Sequence, residues 1–401
     1  MLFLFLGAGM GWGMSRSVRA VAGAGAVGAV VAGLCAPGQA RAAGPASARP
    51  ASSVQRVSTA SDGTQADGAS GPAAVSADGR YVVFWSAAPN LGAGYFPALL
   101  VKDTVTGQLT QVPKPQGYGG GPLAISADGR YVAFSTGTRY PLPYVHDRRT
   151  GTTEQVRPKG PPIGSEISVV AGLSADGRHL AYTITNRHGN APVLLYDRDL
   201  DSGTDELLTP AGPSGYPFAA GGSLSRDGRM AAYGIHRRDG GSGPDTGDVF
   251  VRDRDTGAVE QADITHDGSP ADGPARLAQL SADGRYTAYT STATNVLPGG
   301  TAPGSHAYVR DLRAGRTWRV AGDGAVAKAV SGDGRWVLVA EDGRLVLVHA
   351  RSGQRRDVGP GDRAGGGAVD GGGRAVAFSS DAADLVPGDT NAAYDVFVRR
   401  W

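Results

Sequence analysis

The sequence contains a single cysteine among its 401 residues, Cys35. It lies in the apolar N-terminal segment, so the rest of the chain has none. Without a second cysteine the chain forms no intramolecular disulfide, although small exported domains often depend on such bonds. The fold must therefore be stabilised by packing and by closure of its own sheet edges.

Charged residues are also few, at 19% of the chain, and neither sign dominates. The 39 basic and 37 acidic side chains give a formal charge of +2. A nearly neutral chain does not attract polyanions by bulk charge, so we expect no nucleic-acid partner. Apolar residues make up 41% of the chain, which excludes a strongly charged disordered protein.

The motifs of several enzyme classes are missing as well. The sequence has no G-x-S-x-G, H-E-x-x-H or G-x-x-x-x-G-K-[ST] pattern. Its histidines occur one at a time, at His146, His179, His188, His236, His266, His306 and His349. We therefore predict no catalytic residues and no cofactor, and interpret the chain as a non-enzyme.

The N-terminal 42 residues are typical of a cleaved export signal. Arg16 and Arg19 precede an uncharged apolar run, and Ala40-Arg41-Ala42 has the small-x-small pattern of a signal peptidase site. The run is about 15 residues long, whereas a membrane span needs roughly 20. An uncleaved anchor and lipid attachment at Cys35 are the alternatives. The start codon is Met1 or Met14.

Export would change the charge and the location of the protein. Removal of residues 1–42 takes three arginines and no acid, leaving 36 basic against 37 acidic side chains, a charge of −1. We predict that residues 43–52 form a flexible linker. The mature chain is expected to be secreted or associated with the cell envelope, without a membrane span.

The chain is rich in glycine, with 63 residues, and some of these glycines recur in a repeated motif. The pattern S-x-D-G-R recurs six times, at Asp78-Gly79, Asp128-Gly129, Asp176-Gly177, Asp227-Gly228, Asp283-Gly284 and Asp333-Gly334. A degenerate seventh copy at 370–375 has Gly372 in place of the aspartate. Successive copies lie 39 to 56 residues apart, a spacing typical of repeat folds such as propellers. We interpret the repeated Asp and Gly residues as structural parts of turns.

Each copy lies between two short apolar runs, such as Ala73–Ser76 and Tyr81–Trp85. Such a pair predicts two antiparallel strands joined by a glycine-containing turn. A third run, for example V-F-V-R-D at 249–253, is followed in six units by a T-G, S-G or A-G turn and a short fourth strand. Each unit therefore predicts a four-stranded antiparallel meander.

The seventh unit ends at Trp401 after its third strand. Residues 53–58, ahead of the first unit, look like a fourth strand without a sheet. Pairing the two would complete the last sheet and remove the open edges of a linear array. We predict an all-β fold, a monomeric seven-bladed β-propeller over residues 53–401 that is closed by the N-terminal strand.

The repeats resemble those of TolB-type propellers, whose signature is a strand, S-P-D-G-K/R, a second strand and a D-I-Y-V-type third strand. Here Ala, Arg or Gly replaces the proline that follows the serine. The resemblance covers about residues 53–401. It implies a non-catalytic exported interaction module, although the family's propellers are also fused to serine peptidases or used in a few lyases.

A meander places all the short D-G and T-G turns on one face and the long connections on the other. Loops on a rigid scaffold commonly carry binding groups. Candidate partner-binding residues in these connections are Tyr95, Phe96, Tyr118, Tyr140, Tyr216, Phe218, His236, Arg237 and Arg238. In the sixth unit the connection shrinks to 341–343, which predicts a notch in this face.

Oxygen-bearing side chains cluster near the C-terminus, at Asp389, Asn391 and Asp395. They make a calcium site conceivable, because calcium takes several such oxygens. Asx turns explain the same residues equally well, so the sequence establishes no metal site.

The long-loop face therefore predicts a scaffold that binds a protein or glycan of the cell envelope. The alternative is a carbohydrate-binding or polysaccharide-lyase-type propeller with its site at the mouth of the central channel. Ligands in such a site would come from different blades, so sequence spacing does not test it.

Overall fold

The computed structural model describes residues 52–119, 121–157, 166–186, 193–209, 217–237 and 246–401. In these ranges the regular structure is β-strand, with one short 3-10 helix at Pro89–Leu91. The predicted signal segment and nearly all of the predicted linker lie outside them. Over the same ranges, no helix is long and apolar enough to cross a membrane.

The strands form seven sheets, each of which is one blade of a propeller. The N-terminal strand and blades 1 to 3 comprise β1 (Ser53–Arg56), β2 (Ser70–Val75), β3 (Tyr81–Ser86), β4 (Ala98–Asp103), β5 (Leu109–Gln111), β6 (Leu123–Ile125), β7 (Tyr131–Thr136), β8 (Leu142–Asp147), β9 (Thr152–Gln155), β10 (Glu166–Leu173), β11 (His179–Asn186), β12 (Leu194–Asp199) and β13 (Thr204–Leu207). Blades 4 to 7 comprise β14 (Pro217–Leu224), β15 (Met230–Arg237), β16 (Thr246–Asp253), β17 (Val259–Gln261), β18 (Ala275–Leu280), β19 (Tyr286–Ser291), β20 (His306–Asp311), β21 (Arg316–Ala321), β22 (Val326–Val330), β23 (Trp336–Glu341), β24 (Arg344–His349), β25 (Arg355–Pro360), β26 (Ala375–Ser380) and β27 (Asp395–Arg400).

Blades 1 to 6 each contain four antiparallel strands in chain order, as in β2-β3-β4-β5. From blade 1 to blade 6, the first strand of each blade contacts the first strand of the next, and these strands line a central channel. The fourth strand lies at the outer edge. The predicted seven-bladed propeller of four-stranded meanders is confirmed.

Blade 7 is completed by the N-terminal strand. Its sheet has the order β1-β27-β26, with Val54 opposite Arg399 and Arg56 opposite Phe397. Just after β1, the Val57 amide donates to the Val396 carbonyl oxygen at 2.7 Å. The predicted closure by the N-terminal strand is therefore confirmed.

The repeated turn is closed by its own serine and aspartate. The Ser76 hydroxyl donates to Asp78 at 2.5 Å and accepts from the Tyr81 amide at 2.9 Å. The same Asp78 oxygen accepts from the Arg80 amide at 2.9 Å. In the degenerate copy, Asp370 stands in the serine position and accepts from the Arg374 amide at 2.7 Å. A carboxylate in that position thus closes the turn that lacks the usual aspartate.

The arginine of the motif joins the two short turns of a blade. Arg80 donates from Nε and Nη2 to the carboxylate of Asp103 at the end of β4, with a shortest distance of 2.6 Å. Asp103 also accepts from the Val105 amide in the next turn. Equivalent pairs are Arg130–Asp147, Arg178–Asp199, Arg229–Asp253 and Arg285–Asp311.

The core lies in layers between neighbouring blades rather than in one central cluster. Between blades 1 and 2, for example, Val83, Trp85 and Leu99 pack with Val132 and Phe134. All five side chains are at most 1% exposed. The strands are apolar on both faces because each sheet is covered by a blade on either side.

Candidate functional site

Three aromatic side chains from two loops meet on the long-loop face. Tyr95 and Phe96 lie between β3 and β4, and Tyr118 lies between β5 and β6. Phe96 packs edge-to-face against both tyrosines, with ring centroids 4.9 Å from Tyr95 and 5.2 Å from Tyr118. Tyr95 is 87% exposed and Tyr118 is 61% exposed. We call these three residues the aromatic patch.

The loop that carries Tyr118 rests on a buried tryptophan. Trp85, at the end of the second strand of blade 1, is 1% exposed and donates from Nε1 to the Gly121 carbonyl oxygen at 3.2 Å. A Cβ atom at Gly119 would lie 2.3 Å from the Trp85 ring, so only glycine lets the backbone approach this closely. Lys114 Nζ lies 5.8 Å from the centroid of the same ring, and burial lowers the pKa of Lys114.

The same loop is fastened to the neighbouring loop of blade 2. The Tyr118 amide donates to the Gly137 carbonyl oxygen at 3.2 Å, and the Thr136 hydroxyl donates to the Tyr118 carbonyl oxygen at 3.3 Å. Tyr140 follows in this second loop, where the Arg139 guanidinium lies 5.4 Å from its ring centroid. The aromatic patch therefore has a fixed backbone beneath it and a cation on a neighbouring loop.

Five predicted binding residues remain, and the structure describes three of them. Tyr216 and Arg238 are outside the described residues. Phe218 lies in β14, and His236 and Arg237 lie in β15, where the backbones of Phe218 and His236 pair. These two strands have eight residues each, whereas β2 and β3 of blade 1 have six. The added length places in strands of blade 4 three residues that the sequence assigned to loops.

The calcium candidates are surrounded by donors from the N-terminal segment. Asp389 accepts from Gln65 Nε2 at 2.8 Å, and Asp395 accepts from the same nitrogen at 3.0 Å. Arg56 Nη2 lies 3.4 Å from Asp389 Oδ2, and Arg56 Nε lies 3.5 Å from Asp395 Oδ2. Asn391 donates to the Ala66 carbonyl oxygen at 2.8 Å. These side chains tie β27 and the loop before it to the segment that closes the ring.

Asp395 is fully buried in that cluster. It accepts from the Ser58 hydroxyl at 2.6 Å, and burial raises its pKa. Within the part of the chain that the structure describes, no group of three or more His, Cys, Asp or Glu side chains is arranged to hold a metal ion.

The central channel has a volume of about 710 Å³ and is lined by residues from all seven blades. Its lining is mainly Ala, Val, Leu and Gly, and the lining residues that are described include no titratable side chain. Gln279 is the large polar exception. Its Oε1 accepts from the amides of Val330 and Gly367 at 3.1 and 3.3 Å, which links blades 5, 6 and 7.

A second cavity, of about 520 Å³, adjoins the channel at the long-loop end of blades 5 and 6. Arg276 of β18 and Lys328 of β22 both line it, together with apolar residues such as Leu277 and Val326. Neither cation is among the binding residues predicted from the sequence. The available signal was the presence of positive charge in inner strands that otherwise contain none.

Comparison by sequence finds no relative: no protein-family model matches the chain, and no curated protein does. Comparison by structure finds propellers. TolB from Acinetobacter baumannii matches with 18% identity and a TM-score of 0.43, over 72% of this chain and 66% of that one. The match thus spans slightly less than two thirds of the TolB chain.

Two other solved structures match over more of their length. The oligogalacturonate lyase of Vibrio parahaemolyticus has 13% identity and a TM-score of 0.56, over 86% of this chain and 93% of its own. Hydrazine synthase of Kuenenia stuttgartiensis has 14% identity and a TM-score of 0.50, over 81% and 94%. At such identities the likeness concerns the fold alone. The chain is a seven-bladed β-propeller with structural similarity to TolB and to these enzymes.

Proposed function

We propose that this chain is an exported, non-catalytic propeller that binds a protein partner through its long-loop face. The observation that carries the proposal is the aromatic patch. Tyr and Phe are enriched at the centres of protein interfaces, where they supply a large contact area. Two tyrosine rings that are 87% and 61% exposed leave such an area facing solvent.

The patch is also held ready for binding. Its rings pack on each other, and its second loop is fixed by Trp85 below and by Gly137 at the side. Ordering of loops and side chains opposes association, so a surface that is already ordered loses less free energy on binding. This rigidity distinguishes the patch from aromatic side chains on a loop without tertiary contacts.

The geometry favours a protein over a glycan. The ring planes of Tyr95 and Phe96 are inclined by 88°, and those of Phe96 and Tyr118 by 85°. Rings at such angles share no common plane on which successive sugars can stack. They form a ridge that fits a groove, and Lys114 on the loop of Tyr118 and Arg139 on the neighbouring loop favour acidic residues around that groove.

The experiment is capture of envelope proteins with immobilised mature protein and two double variants. Tyr95→Ala/Tyr118→Ala removes the exposed rings, whereas Val105→Ala/Val259→Ala removes exposed apolar side chains outside the patch. Val105 and Val259 are 75% and 50% exposed, which makes them a matched control. We expect the tyrosine variant to lose the captured protein and the valine variant to retain it.

Equal capture by both variants would contradict the proposal. A glycan array with the same proteins tests the carbohydrate alternative. Glycan binding that survives in the tyrosine variant would move the site away from the patch and towards the channel mouth.

A further inference from the structure

The pairing between the motif arginine and a carboxylate is lost in two neighbouring blades. In blades 1 to 5 the third strand ends in the aspartate that accepts from this arginine. In blade 6 the same position, opposite Trp336 in the sheet, holds His349. The His349 Nδ1 accepts from the Ser352 amide at 3.2 Å, so it closes the turn as the aspartate does in other blades. It brings no carboxylate for the arginine.

The arginine of blade 6 is consequently open to solvent. The Arg335 side chain is 72% exposed, whereas the five paired arginines are 33 to 51% exposed. Its Nε lies 3.7 Å from Asp333 of the same turn, which is too far for a strong hydrogen bond.

Blade 7 has an arginine where the aspartate is expected. This residue, Arg400, turns towards blade 1 and donates to the Thr104 hydroxyl at 2.7 Å. The motif arginine of blade 7, Arg374, is exposed, and its guanidinium has no hydrogen bond or ion pair with any residue that the structure describes. Two adjacent blades therefore present an arginine without its usual partner.

The charge of the short-turn face differs between its two sides. We count the six residues from the first position of each turn motif and the six from the last residue of each third strand, as far as Trp401 in blade 7. These segments contain five arginines and seven aspartates in blades 1 to 3, but seven arginines and four aspartates in blades 5 to 7. Five of the seven are exposed, and we call them the basic patch: Arg313, Arg316, Arg335, Arg351 and Arg374.

The four aspartates on this side are held within the turns. Asp283 and Asp333 each accept from the serine hydroxyl and from the arginine amide of their own motif. Asp311 is buried and accepts from Arg285, with Arg351 3.5 Å away. Asp370 is also buried. The exposed charge on this side is therefore mainly that of the guanidinium groups.

Tryptophan side chains accompany these cations. The guanidinium carbons of Arg316 and Arg351 lie 5.2 and 5.3 Å from the ring centroid of Trp318. The guanidinium carbon of Arg356 lies 5.4 Å from the ring centroid of Trp401. Both rings are half-buried. Indole rings are enriched at the level of lipid headgroups, where one side of the ring is wet and the other is apolar.

We propose that the short-turn face of blades 5 to 7 docks on an anionic lipid bilayer through the basic patch. Guanidinium groups form charge-assisted hydrogen bonds with phosphate oxygens, and each basic residue near an anionic membrane adds to the attraction. The connections on this face are short turns, so no long loop separates the arginines from a flat surface.

The position of the N-terminal segment favours a membrane over an acidic protein as the partner. Strand β1 begins at Ser53, which is opposite Arg400 at the end of β27. The chain therefore enters the propeller at the face that carries the basic patch, and the residues before it include the predicted export signal. The proposal rests on export, as the proposed function does. It does not depend on the aromatic patch, which lies on the opposite face.

The test is co-sedimentation of the mature protein with vesicles of phosphatidylcholine, with and without the anionic lipid phosphatidylglycerol. The key variant is Arg335→Gln/Arg374→Gln. The matched control is Arg149→Gln/Arg226→Gln, which removes two exposed arginines from the same face in blades 2 and 4. Both variants lose the same charge, and thermal melts should show both folded because the substituted side chains are exposed.

We expect binding to the anionic vesicles only, and its release at high salt because exposed charges are screened. The key variant should bind about tenfold or more weakly, whereas the control should bind like the wild type. The variant Tyr95→Ala/Tyr118→Ala should also bind vesicles normally, which separates this proposal from the proposed function.

Three results would overturn the proposal. The first is no binding to the anionic vesicles, or equal binding to both kinds. The second is an equal loss of binding in the key variant and the control, which would indicate bulk charge rather than the basic patch. The third is binding of soluble polyglutamate without binding of vesicles, which would identify an acidic polypeptide as the partner.

Discussion

The backbone amide of Ala77 in blade 1 donates to the carbonyl oxygen of Ala127 in blade 2, at 3.0 Å. Both residues follow the serine of the turn motif. The same relation recurs from Ala127 to Ala175, from Arg226 to Ala282 and from Gly371 to Ala77. These bonds join neighbouring blades around the channel. The TolB-type signature has proline at this position, and proline has no N–H to donate.

Substitution of Ala77 by proline should therefore destabilise this propeller. It removes the bond to Ala127, leaves that carbonyl without its donor and brings the proline ring against it. We expect a loss of about 1–3 kcal/mol in the free energy of unfolding, measured by denaturant titration. Ala77→Ser keeps the amide and is the control. A proline variant at least as stable as the serine variant would show that the bond contributes nothing.

The turn glycines are needed for two reasons that can be separated experimentally. Gly129 has φ +73°, and a Cβ there would lie 2.3 Å from the Tyr81 ring of the previous blade. Gly151 has φ +75° with nothing within 4 Å. Gly151→Ala should lower the free energy of unfolding by about 1–2 kcal/mol because of backbone strain. Gly129→Ala should lower it by about 1–3 kcal/mol more because of the clash with Tyr81. Equal thermal shifts in the two variants would disprove the close packing between blades.

Asp263 gives the stability a pH dependence. Its side chain is fully buried after β17, where one oxygen accepts from the Val249 amide at 3.0 Å and the other has no partner among the described residues. Burial raises its pKa to about 6, and the neighbouring Asp248 adds to the rise. Because the folded-state pKa is above the ordinary value, ionisation opposes folding, and the contribution to stability falls as pH rises from about 4 to 6.

The variant Asp263→Asn cannot ionise and should be more stable than the wild type at pH 7.5, by at most about 3 kcal/mol. The gain should shrink as the pH is lowered towards 4. Chemical denaturation of both proteins at several pH values measures it. A stability difference that is constant over this range would contradict the assignment.

Closure of the ring by β1 makes the N-terminal segment part of the fold. A chain that begins at residue 59 lacks β1, Arg56 and Ser58, and so exposes the edge of β27 and leaves Asp395 without two of its partners. We expect it to lose cooperative thermal unfolding or to aggregate. A chain that begins at residue 51 keeps the strand and should melt like the full-length protein. Identical melting curves would contradict closure.

Much of the fold is predictable from the sequence because its signals are local. The D-G turns follow from residues within one hexapeptide, and closure follows from the missing fourth strand of the last unit. The contact of Phe96 with Tyr118 is different, because it joins two loops that only the blade geometry brings together. Composition indicated aromatic loops but not which rings meet. The sequence does not predict the extension of β14 and β15 either, because no local turn signal marks where these two strands begin or end.

The second cavity, at the long-loop end of blades 5 and 6, is not predictable from the sequence for another reason. Arg276 and Lys328 lie in strands whose other residues are uncharged and mostly apolar, so the hydrophobic pattern of these segments predicts the strands but no cavity. Alignment of the seven inner strands with one another shows the two exceptions, but only the structure places them at one cavity.

Site-specific photo-cross-linking tests the central claim most directly. A photoreactive phenylalanine analogue replaces Tyr95 in the aromatic patch or Val105 on the short-turn face, and the protein is irradiated in the producing cells. The account predicts one protein cross-linked from position 95 and none from position 105. A protein cross-linked only from position 105, or equally from both, would contradict binding through the long-loop face.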